Sequence, residues 1–175
     1  MMLVTLASRA PAVGAQDSGG GTTLYGHLGA VSEGSNGEGL KSGSAFGLAL
    51  EHRLGDRWGV GGGMAMHFGE LTSTVDATAI VVDVHGRYTW DLARVQPYLT
   101  TGAGLYHVSP DDFDSSTDFG VPVAVGFDVP LNSRWRVGFN AAHHFVVSEG
   151  PSLGGGDAMT WFTWAATVGI ALGTP

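Results

Sequence analysis

The stretch "DRWGVGGGMAMHFGE", residues 56–70, is two sequences interleaved. Trp58, Val60, Met64, Met66 and Phe68 hold one parity, broken only by Gly62, while Gly59, Gly61, Gly63, Ala65, His67 and Gly69 hold the other. Period two places alternate side chains on opposite faces of a β-strand. Glycine in a strand interior costs backbone entropy and packs nothing, so a face this bare needs a reason. If the apolar parity faced a core, the bare parity would be a solvent surface of Gly, Ala and Thr with almost no lysine, and soluble surfaces carry far more charge. If the apolar parity faces lipid, the small residues relieve crowding in a narrow closed interior.

The alternation recurs along the chain and predicts eight strands, near 22–31, 45–54, 58–69, 76–90, 95–108, 118–130, 134–147 and 159–172. In the strand near 118–130, Phe119, Val121, Val123, Val125, Phe127 and Val129 oppose Gly120, Pro122, Ala124, Gly126 and Asp128. The linking segments "GDR" (55–57), "DLAR" (91–94) and "LNS" (131–133) are short. Those at 32–43, 109–117 and 148–158 are long, and "ELTSTV" (70–75) is intermediate. Short turns at one end, long loops at the other and an even strand count predict an all-β fold, an eight-stranded antiparallel up-and-down transmembrane barrel. Closure pairs every backbone group where lipid offers no hydrogen bonds. The aromatics sort to the strand ends. Trp58, Trp90, Phe127 and Trp135 fall near the short turns, and Phe46, Phe68, Phe119, Phe145 and Phe162 near the long loops, as two interface girdles.

Glycine makes up 29 of the 175 residues without a triplet repeat, so it is placed for geometry. The absence of cysteine excludes disulfides and thiolate metal sites. A net charge of -8 argues against nucleic-acid binding. Residues 1–15 carry an apolar run, Met1 to Ala7, and a small-residue cleavage site, Val13-Gly14-Ala15, and read as a signal peptide whose start lies further upstream. Residues 16–21 are then a linker and 22–172 the barrel.

"QPYLTTGAGLY" (96–106), "VAVGFDVPLNSRWRVGF" (123–139) and "EHRLGDRWGVGGG" (51–63) resemble the eight-stranded Gram-negative outer-membrane barrels of the OmpA/OmpX-like superfamily. The resemblance spans about 22–172. It implies residence in the outer membrane, short turns toward the periplasm and long loops toward the exterior. The chain departs from it in ending "IALGTP" where such barrels end in an aromatic residue.

Chemistry-bearing residues fall in three places. Glu51, Arg53, Asp83, Arg87, Asp128 and Arg136 share the inward parity near the short turns, where mixed charges in a narrow lumen must pair. They predict a structural plug of salt bridges rather than a water pore. "DDFDSSTD" (111–118) spaces Asp112, Asp114 and Asp118 like the start of a calcium loop. Thr117 stands where the turn glycine belongs and Val123 where the bidentate Glu belongs, so a solvated acidic loop weakly bridging divalent cations is the reading. "HHFVVSEG" (143–150) places His143 and Ser148 near a strand end similar in position to the site of lipid A deacylase barrels, which use a His and a Ser two apart on one outward face. Here the two are five apart and on opposite faces, out of reach as base and nucleophile.

The expectation is a monomeric, non-enzymatic barrel without a cofactor or dedicated metal, embedded among membrane lipid and lipopolysaccharide. Its acidic outer loops would serve surface contact or adhesion with a ligand the sequence does not name. The alternatives are a conduit for small apolar solutes, similar to OmpW, and a lipid A-modifying enzyme.

Overall fold

In the computed structural model the described residues are 21–34, 39–72, 75–92, 94–111, 114–147 and 158–173. Eight strands run in chain order: β1 (Thr22–Glu33), β2 (Gly43–Arg53), β3 (Trp58–Thr72), β4 (Val75–Thr89), β5 (Gln96–Pro110), β6 (Ser116–Pro130), β7 (Trp135–Val147) and β8 (Met159–Leu172). Each pairs antiparallel with its sequence neighbours, and β1 pairs with β8 from Thr22↔Leu172 to Glu33↔Trp161, closing the barrel. The predicted fold class is the observed one.

The long-loop ends of several strands differ from expectation. β3 and β4 run on to Thr72 and from Val75, so residues 70–75 are mostly strand and not a loop of intermediate length. β5 continues to Pro110 and β6 begins at Ser116, which shortens the connection expected at 109–117 to 111–115. Ladder partners decide these extensions, since Ala77 pairs Pro110, Thr78 pairs Ser109 and Val108 pairs Ser116. At the other end, tight reversals hold the register. Leu54 N–H donates to Trp58 O and Leu131 N–H to Trp135 O, both at 2.9 Å. Asn132 Oδ1 accepts from the backbone N–H of Arg134 and Trp135 at 2.9 Å, the side-chain turn that fits asparagine to this position. The β5–β6 ladder skips opposite Pro122, which has no N–H to give.

Parity sorts the two faces as the apolar pattern requires. Leu28, Val84, Leu48 and Met64 are 71, 67, 58 and 56 % exposed on the outer wall, whereas Tyr25, Tyr106 and Val81 point inward and are buried. An apolar belt of this extent on every strand is a lipid-facing surface. Inside, the bare parity makes room for large side chains. A Cβ on Gly61 would stand 2.6 Å from His85 Nε2, one on Gly120 2.6 Å from Tyr106 Cε2, and one on Gly169 2.7 Å from Arg136 Cγ and 2.8 Å from Tyr25 Cε1. The bare face is the clearance that those rings and the guanidinium occupy.

Candidate functional site

The lumen is filled in two chemically distinct layers. In the half nearer the short turns, β4 presents Asp83, His85 and Arg87 at period two on its inner face. Arg87 is the hub. Its Nη1 donates to Glu51 Oε2 at 2.8 Å and its Nη2 to Asp128 Oδ2 at 2.6 Å, and its guanidinium carbon lies 3.6 Å from the Tyr98 ring centroid. Tyr25 O–H donates to the same Asp128 oxygen at 2.7 Å. Arg136 Nη1 is 3.9 Å from that oxygen and 3.4 Å from Tyr25 Oη. Asp83 meets a histidine rather than an arginine: its Oδ1 is 2.6 Å from His85 Nδ1, while His85 Nε2 is 3.6 Å from Glu51 Oε1. Asn140 Nδ2 donates to Tyr98 Oη at 3.1 Å and closes the layer.

Of the six charged residues singled out by parity, Glu51, Asp83, Arg87, Asp128 and Arg136 come together here. Arg53 stands apart, half-buried at the short-turn mouth beside Trp58 and Arg136, and makes none of the ion pairs seen among the described residues. That mouth holds free space of about 20 Å³, room for roughly one water. Sequence reasoning passed over His85, Tyr25, Tyr98 and Asn140. The available signal was parity, since all four share the inward register of the charges.

Nearer the long loops the filling is aromatic and apolar. Trp161 Nε1–H donates to His67 Nδ1 at 3.0 Å, Tyr106 Oη lies 3.1 Å from His144 Nδ1, and His144 Nε2 lies 3.2 Å from Thr163 Oγ1. The His144 and Trp161 rings stack with centroids 5.3 Å apart, and Tyr106 meets Trp161 edge-on at 5.6 Å. Val31, Leu71, Val81, Val108 and Val146 pack around them. Leu40, between β1 and β2, is wholly buried in the same cluster. In this layer the Trp161, His67, Tyr106, His144 and Thr163 side chains bond to one another, which is what a low-dielectric interior demands of polar groups.

The remaining candidates sit on the outside or at the rims. Trp58, Trp90, Phe127 and Trp135 are exposed at the short-turn end, where Tyr88 packs edge-on between Trp58 and Trp90 at 4.9 Å from each. Phe46, Phe119 and Phe145 are exposed toward the long loops, and Phe68 stacks on Phe46 at 5.7 Å. His143 points outward between Phe145 and Phe162, at 4.0 and 4.1 Å, as part of that outer girdle. Ser148 and Asp112 lie outside the described residues. Asp114 is exposed, whereas Asp118 is buried on the inner face, where it accepts from Ser116 Oγ at 2.8 Å, so these two acids stand in different surroundings. No group of three metal-ligating side chains occurs among the described residues.

Among curated proteins none matches the chain. Its fold is shared with Neisserial surface protein A (NspA), at TM-score 0.66 and 14% identity over 86% of this chain and 96% of that one. It is also similar to Ail, the attachment invasion locus protein of Yersinia pestis, at TM-score 0.54 and 16% identity over 87% and 97%. The outer membrane enzyme PagL is similar at TM-score 0.54 and 14% identity over 86% and 99%. Identities this low speak for the fold alone. Residues 1–171 match the family described as outer membrane protein beta-barrel domain, and with a closed eight-stranded wall and a continuous lipid-facing belt this chain belongs to that family of integral outer-membrane proteins.

Proposed function

We propose that this barrel works from its outer surfaces, as a non-conducting envelope protein that makes contacts through its acidic long-loop end. The observation that carries the reading is the doubly filled lumen: the Arg87-centred ion network below and the Trp161–His144–Tyr106 layer, with Leu40 buried in it, above. Two successive packed layers leave an eight-stranded interior without a water path. The same filling counts against a conduit for apolar solutes, because a transported molecule would have to displace the ion pairs of Arg87 with Glu51 and Asp128.

Glu33, Glu70, Asp76, Asp111 and Asp114 lie at the long-loop end, and Lys41 pairs with Glu33 at 3.6 Å. Ail is known in complex with the heparin analogue sucrose octasulfate. An acidic rim repels such a polyanion, so a basic or divalent-bridged partner fits this chain instead. The experiment is solute uptake by proteoliposomes together with binding to immobilised heparin and to immobilised polylysine. The expected result is sugar uptake no faster than in empty vesicles, no retention on heparin and salt-sensitive retention on polylysine. Discrete channel conductance, or retention on heparin, defeats the reading.

A further inference from the structure

On the outer wall, His107 and Ser109 are two apart on β5 and so share a face. Ser109 Oγ is 3.2 Å from His107 Nε2, and His107 Nδ1 is 2.8 Å from Thr117 Oγ1 on β6. Thr117 is the ladder partner of His107, so backbone register holds these two side chains opposite one another. A neutral imidazole carries one N–H. With Nδ1–H donated to Thr117, Nε2 is left as the acceptor for the Ser109 hydroxyl. A hydroxyl, a ring nitrogen facing it and a third group orienting the ring are the parts of an activated nucleophile. Thr117 is exposed and the other two are half-buried, so the trio is accessible from outside.

Position supplies the substrate class. The trio shares its outward parity with Leu99 and Leu105, which are exposed on the lipid side. Leu105 pairs with Phe119 of the outer girdle, and His107 lies one step further along the ladder. Ser109 pairs with Thr78, whose partner on β3 is Phe68 of the same girdle. The serine therefore stands at the boundary between hydrocarbon and headgroups, the depth at which acyl chains are ester-linked.

The geometry points to a serine esterase site on the lipid-facing wall, with Ser109 as nucleophile, His107 as general base and Thr117 as positioning residue, acting on a carboxylic ester of a membrane lipid. This departs from the expectation of a barrel without enzymatic activity, and it does not depend on the closed lumen. Ser109 Oγ adds to the ester carbonyl carbon while its proton passes to His107 Nε2. The tetrahedral intermediate then collapses, the bond to the lipid alkoxy oxygen breaks, and that oxygen takes the proton from Nε2 and leaves as an alcohol. Water next gives a proton to Nε2 and its oxygen adds to the acyl-Ser109 carbonyl. Breaking the Ser109 ester returns that proton to Oγ and releases the fatty acid. The balance is ester plus water to alcohol plus acid, with no further reactant. Thr78 is the ladder partner of Ser109 and shares its outward face.

The test uses the full chain reconstituted in two kinds of vesicle, one of phosphatidylethanolamine and one containing lipopolysaccharide, with released fatty acid measured by mass spectrometry. A fluorophosphonate probe, read by peptide mapping, reports the nucleophile separately. Release from either vesicle with probe adduct on Ser109 supports the site, and the vesicle that reacts identifies the lipid. Ser109→Ala and His107→Gln each lower release by about 100-fold or more. Thr117→Val lowers it, Thr117→Ser restores it, and His143→Gln leaves it unchanged. All these side chains are on the outer wall, so heat-dependent gel mobility verifies that each variant still forms a barrel. A folded wild-type barrel that releases no fatty acid and takes no probe, or a Ser109→Ala variant as active as wild type, overturns the proposal.

Discussion

Arg87 Nη2 sits 2.6 Å from Asp128 Oδ2, and that carboxylate has no exposure to solvent at all. Arg136, the other cation near it, is 3.9 Å away and half-buried. The pairing that stabilises the lower lumen is therefore the Arg87 one, although Arg136 is the inward-parity cation nearest Asp128 in sequence.

Replacing Arg87 with Met strands the carboxylates of Asp128 and Glu51 in a low-dielectric interior. The expected loss is about 3–5 kcal/mol, the range for removing one partner of a buried pair. Urea unfolding in lipid vesicles measures it. Arg136→Met should cost less, because Tyr25 and Arg87 continue to donate to Asp128 Oδ2. Arg87→Met combined with Asp128→Asn should recover part of the loss. Equal stability of Arg87→Met and wild type would mean that water reaches these groups.

The wall of this barrel was legible in sequence because lipid imposes a uniform demand on every strand. Trp58 to Phe68 and Phe119 to Val129 each declare their outward parity without knowledge of a neighbour. The parity of Glu51, Asp83, Arg87, Asp128 and Arg136 was likewise readable. Their pairing was not, because it depends on which strand lies opposite and in what register. Strand ends were the least legible. Ser109 and Thr117 belong to "SPDD" and "SST", whose residue types favour turns, so both read as loop and the two partners of His107 dropped out of the strand pattern. Only the ladder contacts of Ser109 with Thr78 and of Thr117 with His107 restore their shared face. Leu40 read as loop for the same reason, yet it is buried in the upper layer.

Clearance at the glycines makes the second prediction. Gly120→Leu would put a side chain where Tyr106 Cε2 lies 2.6 Å from the first added carbon, with Phe145 O at 2.6 Å on another side. Tyr106 is fully buried against Trp161 and His144 and has nowhere to swing. Overpacking of this kind costs about 1–3 kcal/mol. Gly120→Leu should lower the urea midpoint, and adding Tyr106→Ala should return some of the loss by emptying the space. At Gly86, where an added Cβ meets nothing within 4 Å, substitution by Ala should be tolerated. Equal effects at Gly120 and Gly86 would mean that the glycines serve flexibility rather than clearance.

Orientation is the last prediction, and charge sorting motivates it. Arg53, Arg57, Arg87, Arg94, Arg134 and Arg136 lie at or beside the short-turn end, six of the eight basic residues of the chain. Glu33, Glu70, Asp76, Asp111 and Asp114 lie at the other. In the barrels this chain resembles, the long loops face the exterior, which would give the cell a local acidic rim. Its field fades within about 8 Å at physiological salt, so it acts on what is already near the surface. An epitope inserted at Asn36, in the connection between β1 and β2, should be labelled by antibody on intact cells. The same epitope at Gly55, in the tight turn between β2 and β3, should be labelled only after the outer membrane is permeabilised. Labelling of the Gly55 epitope alone on intact cells would reverse the barrel and leave the acidic rim facing the periplasm, where it could take no part in contact with another surface.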